Sequence, residues 1–185
     1  LPQRGGRVTG VTLADGEHLA ADAVLLNGDS AALSAGLFGA DASRAVDVQR
    51  PQDRSISALT WATLTQPAGF PLARHTVFFS PDYAREWHEL SDCSLLPTVP
   101  TVYVCAQDRS TPEAPAAGAP ERLLLLVNAP ALGDLARPSL AEVDACQERT
   151  LQHLRDCGLT LSLNPTQTVR TTPVEFHARY PATGG

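Results

Sequence analysis

Ile56-Ser57-Ala58-Leu59-Thr60-Trp61-Ala62-Thr63-Leu64 decides the fold class. It is rich in β-branched and apolar residues, and its two faces separate by strict alternation. Ile56, Ala58, Thr60, Ala62 and Leu64 share one face, and Ser57, Leu59, Trp61 and Thr63 share the other. Further along, Arg122-Leu123-Leu124-Leu125-Leu126-Val127-Asn128 is apolar without alternation. That pattern predicts a central strand covered on both faces. Pro138-Ser139-Leu140-Ala141-Glu142 then opens a helix: a hydroxyl at the cap and a carboxylate three residues on satisfy free amides reciprocally.

The same reasoning extends outward. Arg7–Leu13 and Glu17–Leu26 read as strands joined at Asp15-Gly16, a hairpin signal. Asn27-Gly28-Asp29-Ser30 turns into a short helix over 31–37, and residues 40–53 form a connection, partly helical. His75–Phe79 is the next strand, and Ser80-Pro81-Asp82 starts a helix to about Leu90, with Ser80 as cap and Pro81 in the first turn. Thr101–Gln107 is a strand with Val102, Val104 and Ala106 on one face, and residues 108–120 are a loop. The helix after Pro138 carries Leu140, Val143, Cys146, Leu154 and Cys157 on one stripe and ends at Gly158. Leu159–Leu163 and Gln167–Thr171 are short strands, and Thr172-Pro173-Val174-Glu175 opens a last helix. Strands outnumber helices and connections are short, so the expected fold is α+β, with a mixed, mostly antiparallel sheet and helices packed on it.

A chain of 185 residues that is 43% hydrophobic can bury its own core. A net charge of −6 with dispersed basic residues disfavours nucleic acid as a partner. The longest apolar run, Leu123–Val127, falls far short of the roughly 20 residues a membrane span needs. The four cysteines, Cys93, Cys105, Cys146 and Cys157, form no Cys-x-x-Cys pair, so zinc and dithiol chemistry are not expected. They read as small apolar residues of a reducing, cytoplasmic setting. No Gly-x-Ser-x-Gly elbow and no His-x-x-x-His spacing occur. The residues assemble no catalytic set and no metal ligands. The chain starts at Leu1, contains no Met, and closes on Gly184-Gly185; both ends are expected to be cuts in a longer protein.

Two groups of residues are candidates for binding. Asn27, Gly28 and Asp29 are either a polar turn that approaches a cofactor, which glycine permits, or a strand-to-helix turn with a cap. Phe78 and Phe79 are consecutive on a strand and so point to opposite faces. One packs the core and the other is free to line a cavity. His75, with Tyr83 and Trp87 nearby, is placed to border an apolar pocket. Trp61 and Tyr103 complete the aromatic set considered for it.

Taken in order, several segments resemble the phytoene desaturase family of carotenoid desaturases. They are Gly10-Val11-Thr12-Leu13-Ala14-Asp15-Gly16 with Asp22-Ala23-Val24-Leu25-Leu26-Asn27-Gly28-Asp29, Arg74-His75-Thr76-Val77-Phe78-Phe79-Ser80, Pro100-Thr101-Val102-Tyr103-Val104, Thr171-Thr172-Pro173-Val174-Glu175-Phe176 and Tyr180-Pro181-Ala182-Thr183-Gly184-Gly185. The stretches around His75 and Tyr103 look closest to the bacterial branch of hydroxyneurosporene and methoxyneurosporene dehydrogenases. The resemblance implies a FAD enzyme that converts carbon–carbon single bonds of an acyclic, hydroxylated or methoxylated carotenoid into double bonds. It implies that residues 1–30 are the edge of a FAD-binding domain, 31–53 a connection, and 54–185 a fragment of the substrate domain. The family's Gly-x-Gly-x-x-Gly fingerprint does not occur in this sequence. The chain alone is therefore expected to hold no FAD and to be inactive. Its implied partners are the apolar carotenoid, the FAD domain of the same protein and the surface of a membrane; the oligomeric state stays open. Another flavin amine oxidase-like oxidoreductase, or a free-standing module for an apolar ligand or partner, are the competing readings.

Overall fold

In a computed structural model, which describes residues 1–110, 115–116 and 118–185, five strands form one antiparallel sheet. They are β5 (Ser57–Thr65), β7 (His75–Phe78), β8 (Val102–Ala106), β9 (Glu121–Ala129) and β11 (Thr168–Thr171), in the order β11-β5-β9-β8-β7, while the two-residue strands β6 (Ala68–Gly69) and β10 (Leu159–Thr160) pair with each other. Every pairing in it is antiparallel. The sheet, expected to be mixed but mostly antiparallel, has antiparallel pairings alone among the described residues. The cause is topological: α2 (Tyr83–Ser91) joins β7 to β8, which pair antiparallel, and β8 runs back into its neighbour β9.

Register assigns each residue to a face. Trp61 stands opposite Leu125, and Leu125 opposite Val104. The next rows are Leu59-Val127-Val102-Phe78 and Thr63-Leu123-Ala106. These side chains form the core together with Leu72, Leu159 and Leu161. Trp61 and Leu125 are both 0% exposed, and each fully buried side chain of this kind contributes about 1.5–3 kcal/mol through removal from water.

Helix α3 (Leu140–Asp156) covers this face with Val143, Cys146 and Leu154. Its capping box is formed as the sequence indicates: the Ser139 hydroxyl accepts from the Glu142 amide, and the Ser139 amide donates to Glu142 at 2.8 Å. Two residues of the expected stripe do not join the core: Leu140 is in the exposed first turn, and Cys157 is the exposed C-cap. Thr150 and His153 are buried instead. The Thr150 hydroxyl returns a bond to the Cys146 carbonyl, and His153 Nε2 donates to the Phe79 carbonyl at 3.1 Å, so both polar groups are satisfied. Trp61 Nε1 donates to Gln147 Oε1 at 2.8 Å, tying α3 to the middle of the sheet.

Helix α2 (Tyr83–Ser91) is capped by Asp82, whose Oδ1 accepts from the Arg85 amide. Ser80 was expected in that role; its hydroxyl instead accepts from the Asp82 amide, one step earlier. Glu86, only 1% exposed, accepts from both the amide (2.9 Å) and the hydroxyl (2.6 Å) of Thr101. Thr101 Oγ1 in turn accepts from the Ser80 amide. This chain of bonds pins the start of β8 to both ends of the β7–α2 turn. Glu89 does similar work on the next loop. Burial pushes its carboxyl up, but bonds from the amide and hydroxyl of Thr98 and from Arg85 outweigh that and hold it below the usual carboxylate range.

The chain divides into two units, Ser55–Ala178 with Gly184–Gly185, and Leu1–Arg54 with Arg179–Thr183. In the first, α4 (Pro173–Arg179) begins at Thr172, whose amide donates to Glu175 at 2.8 Å. Gly133 and Gly185 pack against its first turn. A Cβ on either would lie 2.0 or 2.2 Å from the Pro173 carbonyl oxygen, and Gly185 also has φ of +88°.

The second unit holds short strands β1 (Gln3–Arg4), β2 (Arg7–Val8), β3 (Gly10–Thr12) and β4 (His18–Ala20), paired as two hairpins, and helix α1 (Ser30–Ser34). The Asp15-Gly16 hairpin is present, but the return strand stops at Ala20 rather than Leu26. Residues 42–45 and 51–53 are single 3₁₀ turns in the connection. Of the loop expected over 108–120, residues 107–110 form another such turn, and 111–114 and 117 lie outside the described residues.

Two measurements check this architecture. Glu86→Ala strands the Thr101 amide and hydroxyl, and we expect it to lower unfolding free energy by about 2–4 kcal/mol in urea titration; a cost below about 0.5 kcal/mol would remove the staple from the account. Glu142 and Glu175 also lie below the usual carboxylate range. For Glu142 the main cause is the Ser139 hydroxyl bond, whereas at Glu175 burial works against the Thr172 bonds that win. Their pKa is depressed in the folded state, so their stabilisation is present above the unfolded value of about 4.3 and disappears as pH falls through the folded value. Helical circular dichroism should therefore hold down to about pH 4.3 and decline below it, and Glu142→Gln should flatten that decline.

Candidate functional site

The alternation that fills the core also populates the reverse side of the same sheet. One row across it is Val169-Ala62-Leu124-Cys105-His75, and the next is Thr171-Thr60-Leu126-Tyr103-Val77. Coverage of this side is uneven: within these rows Cys105 and Thr171 are buried. Val169 and Val77 are 63% and 44% exposed, and Leu124, Leu126 and Tyr103 are half-buried. Five strands at about 4.8 Å spacing make a surface roughly 20 Å across. It is aliphatic through its middle, and Leu64 and Ile56 extend it along β5 and just before it.

The expectation that β9 is covered on both sides is corrected here. Its residues alternate between buried and half-buried, with Arg122 exposed, so one face is packed and the other only partly covered. An unbroken leucine run masked the alternation, because both faces use the same residue type.

A polar pair stands at one edge of this surface. His75 Nδ1 and Tyr103 Oη are 2.7 Å apart, and their rings stack with centroids 6.0 Å apart at 14°. They meet as diagonal neighbours on adjacent strands, because His75 pairs with Cys105 and Tyr103 with Val77. Burial, then the neighbouring Cys105, holds the Tyr103 phenol above its ordinary range, while Arg74 opposes the shift. Tyr103 is therefore a neutral hydroxyl at neutral pH, able to donate and accept.

The other aromatic candidates lie elsewhere. Trp61 and Phe78 belong to the covered face, where they pack under α3 and beside Leu72. Neither side chain reaches the open surface: alternation places both behind the sheet. Phe79 and Tyr83 are 67% and 52% exposed, at the end of β7 and the start of α2. Tyr83 and Trp87 are four residues apart, on one side of α2. The structure thus brings His75 and Tyr103 together, while Phe79 and Tyr83 are exposed just past the end of β7. The aliphatic residues Val77, Leu124, Leu126 and Val169 escaped sequence reasoning. Strand pairing, not residue type, identifies them.

Asn27, Gly28 and Asp29 are exposed in the other unit. Asp29 Oδ1 accepts from the Ala31 amide at 2.8 Å and caps α1. A Cβ on Gly28 would meet only the Leu26 side chain, at 3.7 Å, so no close backbone approach depends on that glycine. The flavin dinucleotide implied by the resemblance needs a glycine-rich cradle of amides at a helix start. This capped turn on a helix of five residues does not fit that group. Among the described residues no group of three or more His, Cys, Asp or Glu is arranged to hold a metal ion. No helix among them is long and apolar enough to cross a membrane.

No family model matches the chain. It is 49% identical over 182 residues to hydroxyneurosporene desaturase of Rubrivivax gelatinosus, a match covering 98% of this chain and 34% of that protein. Hydroxyneurosporene desaturase of Cereibacter sphaeroides is 40% identical over 183 residues, covering 99% and 36%. That of Rhodobacter capsulatus is 38% identical over 186 residues, covering 100% and 36%. The chain thus spans about a third of the length of the relatives it matches. Its resemblance to carotenoid desaturases, read first from separate segments, is borne out along nearly the whole sequence.

Stability separates the two faces. Trp61→Ala and Phe78→Ala should each cost about 3–5 kcal/mol, whereas His75→Ala and Tyr103→Phe should each cost less than about 1 kcal/mol. Thermal or urea unfolding of the four variants checks this. Equal costs on both sides of the sheet would mean that the open face is packed after all.

Proposed function

We propose that this chain is the substrate-holding part of a carotenoid desaturase. In this reading an acyclic carotenoid lies along the open sheet face, over Val77, Tyr103, Leu124, Leu126, Ala62 and Val169. One observation supports the reading: one face of a five-stranded sheet is aliphatic through its middle and only partly covered, with the hydrogen-bonded pair His75 and Tyr103 at one edge and the ion pair of Arg122 with Asp108 beyond Leu64. A polyene has a long apolar body and almost no charge. Aliphatic side chains suit that body, and a few fixed polar groups suit its end. The His75–Tyr103 pair would receive the hydroxyl or methoxyl group of the substrate, and so select such carotenoids over plain hydrocarbons.

The work assigned to this chain is binding and orientation. It would hold one carbon pair in place and keep water from it. The redox group expected from the family, FAD, is assigned to other parts of the full-length protein, because residues 27–29 do not fit it. No acid–base pair is required on the open face, and none is proposed there. Contact with a bilayer surface belongs to the same proposal. Exposed Tyr83 and Trp87 on α2 are the kinds of side chain that settle at headgroup level.

The test uses the full-length protein with an acyclic hydroxylated carotenoid and chromatographic product analysis. New conjugated double bonds are expected. Leu126→Arg should reduce turnover by at least about tenfold with flavin content unchanged, and Tyr103→Phe should narrow the preference for hydroxylated over hydrocarbon substrates. Oxidation of amines alone, or full turnover in Leu126→Arg, would overturn the reading.

A further inference from the structure

The end of α2 gathers three reactive side chains outside the sheet face. His88 Nδ1 lies 2.7 Å from Asp92 Oδ2, and Cys93 Sγ lies 3.4 Å from His88 Nε2. The backbone sets this up. Where α2 ends, the amides of both Asp92 (3.0 Å) and Cys93 (3.1 Å) turn back to the His88 carbonyl. Asp92 is thereby four residues along the helix from the ring, and Cys93 curls under it. Ser94 follows in the left-handed region, with φ of 55°. That conformation is uncommon outside glycine, and it turns the chain away from the thiol. Leu95 N then closes the turn on the Glu89 carbonyl at 2.8 Å.

The roles of the three groups follow from their chemistry. The Asp92 carboxylate can only accept, so Nδ1 of His88 donates to it. In the neutral imidazole this fixes the other nitrogen as an acceptor, and Nε2 turns its lone pair to the thiol proton. Nucleophile, base and orienting carboxylate are in sequence, which is the arrangement that activates cysteine. The cavity beside Ser94, lined by Leu96, Pro130, Leu132 and Pro138, holds about 10 Å³, room for no more than about one water. The cluster is open to solvent: Cys93 is exposed, and the His88 and Asp92 side chains are 62% and 67% accessible.

We infer that Cys93 is a site of reversible thiol modification, activated by His88 and Asp92, that takes small disulfides from solution. In the step, the Cys93 thiol passes its proton to His88 Nε2 as Sγ attacks one sulfur of the disulfide. The disulfide S–S bond breaks and a new S–S bond forms to Cys93. The leaving thiolate takes the proton from the imidazolium and departs as a free thiol. Cys93 is oxidised, and the displaced sulfur is reduced. A reducing thiol reverses the exchange. Among the described residues the other cysteines differ: Cys105 and Cys146 are buried, and Cys157 is exposed at the C-cap of α3, where no His–Asp pair is recorded at its thiol.

Cys157 therefore serves as an internal reference. The chain is incubated with oxidised glutathione at neutral pH, and peptide mass spectrometry follows each cysteine over time. Cys93 is expected to be glutathionylated about tenfold faster than Cys157, short of the effect of a buried catalytic base because the trio is solvated. His88→Gln should bring Cys93 down to the rate of Cys157 and leave Cys157 unchanged, and Asp92→Ala should lower Cys93 partway. Protection of Cys146 in every variant reports an intact fold, and all the affected side chains are at the surface. Equal rates at Cys93 and Cys157 in the unaltered chain, or an unchanged Cys93 rate in His88→Gln, would overturn the inference.

Discussion

Side chains alternate across a β-strand, so the register that puts Trp61 opposite Leu125 commits five strands at once. Leu59, Val127, Val102 and Phe78 follow Trp61 to the covered face, and Leu124, Leu126, Tyr103 and Val77 are committed to the other. A slip of one residue would exchange the two sets. α3 then fixes which side becomes core, through Val143, Cys146 and Leu154 and the bond from Trp61 to Gln147. The open face is therefore a consequence of the packing and not a separate feature.

That constraint explains why the ends of the strands are so heavily stitched. With one face only partly covered, the sheet has less burial to hold its edges. The edge strand β7 is tied through the Phe79 carbonyl to His153, and its turn into α2 is held by Glu86, Thr101 and Ser80. At the other end of β8, Arg109 makes a two-pronged ion pair with buried Glu121 at the start of β9 and also donates to the Leu72 carbonyl. Such charge-assisted bonds are the stronger kind. Arg122, on the same face as Leu64, is likewise paired with Asp108, so the charges at this end of the sheet are neutralised in pairs.

Much of this was legible in the sequence. The alternation of residues 56–64 gave the correct inner and outer faces of β5, and Ser139 with Glu142 gave the start of α3. The leucine run of β9 was not legible, because a strand that is apolar on both sides looks the same whether its second face is packed or only greasy. Trp61 and Phe78 show the same limit from the other direction. Aromatic character drew attention to them, but position in the register decides whether an aromatic ring meets solvent or core. His75 and Tyr103 lie 28 residues apart in sequence, and only the pairing of β7 with β8 makes them neighbours. The trio at the end of α2 was in principle visible as His, Asp and Cys at four- and five-residue spacing. What sequence could not supply was the turn that brings the thiol back to the ring.

The similarity to hydroxyneurosporene desaturases and the geometry of the sheet bear on the same point from independent directions. The relatives' names concern carotenoids, and the sheet presents an apolar surface with one polar edge. The most direct measurement is methyl NMR of the chain during titration with an acyclic hydroxylated polyene in mild detergent. The account predicts shifts at the methyls of Val77, Leu124, Leu126 and Val169, with Val104, Leu125 and Val127 unmoved. Shifts spread equally over both sets, or confined to the covered face, would contradict it.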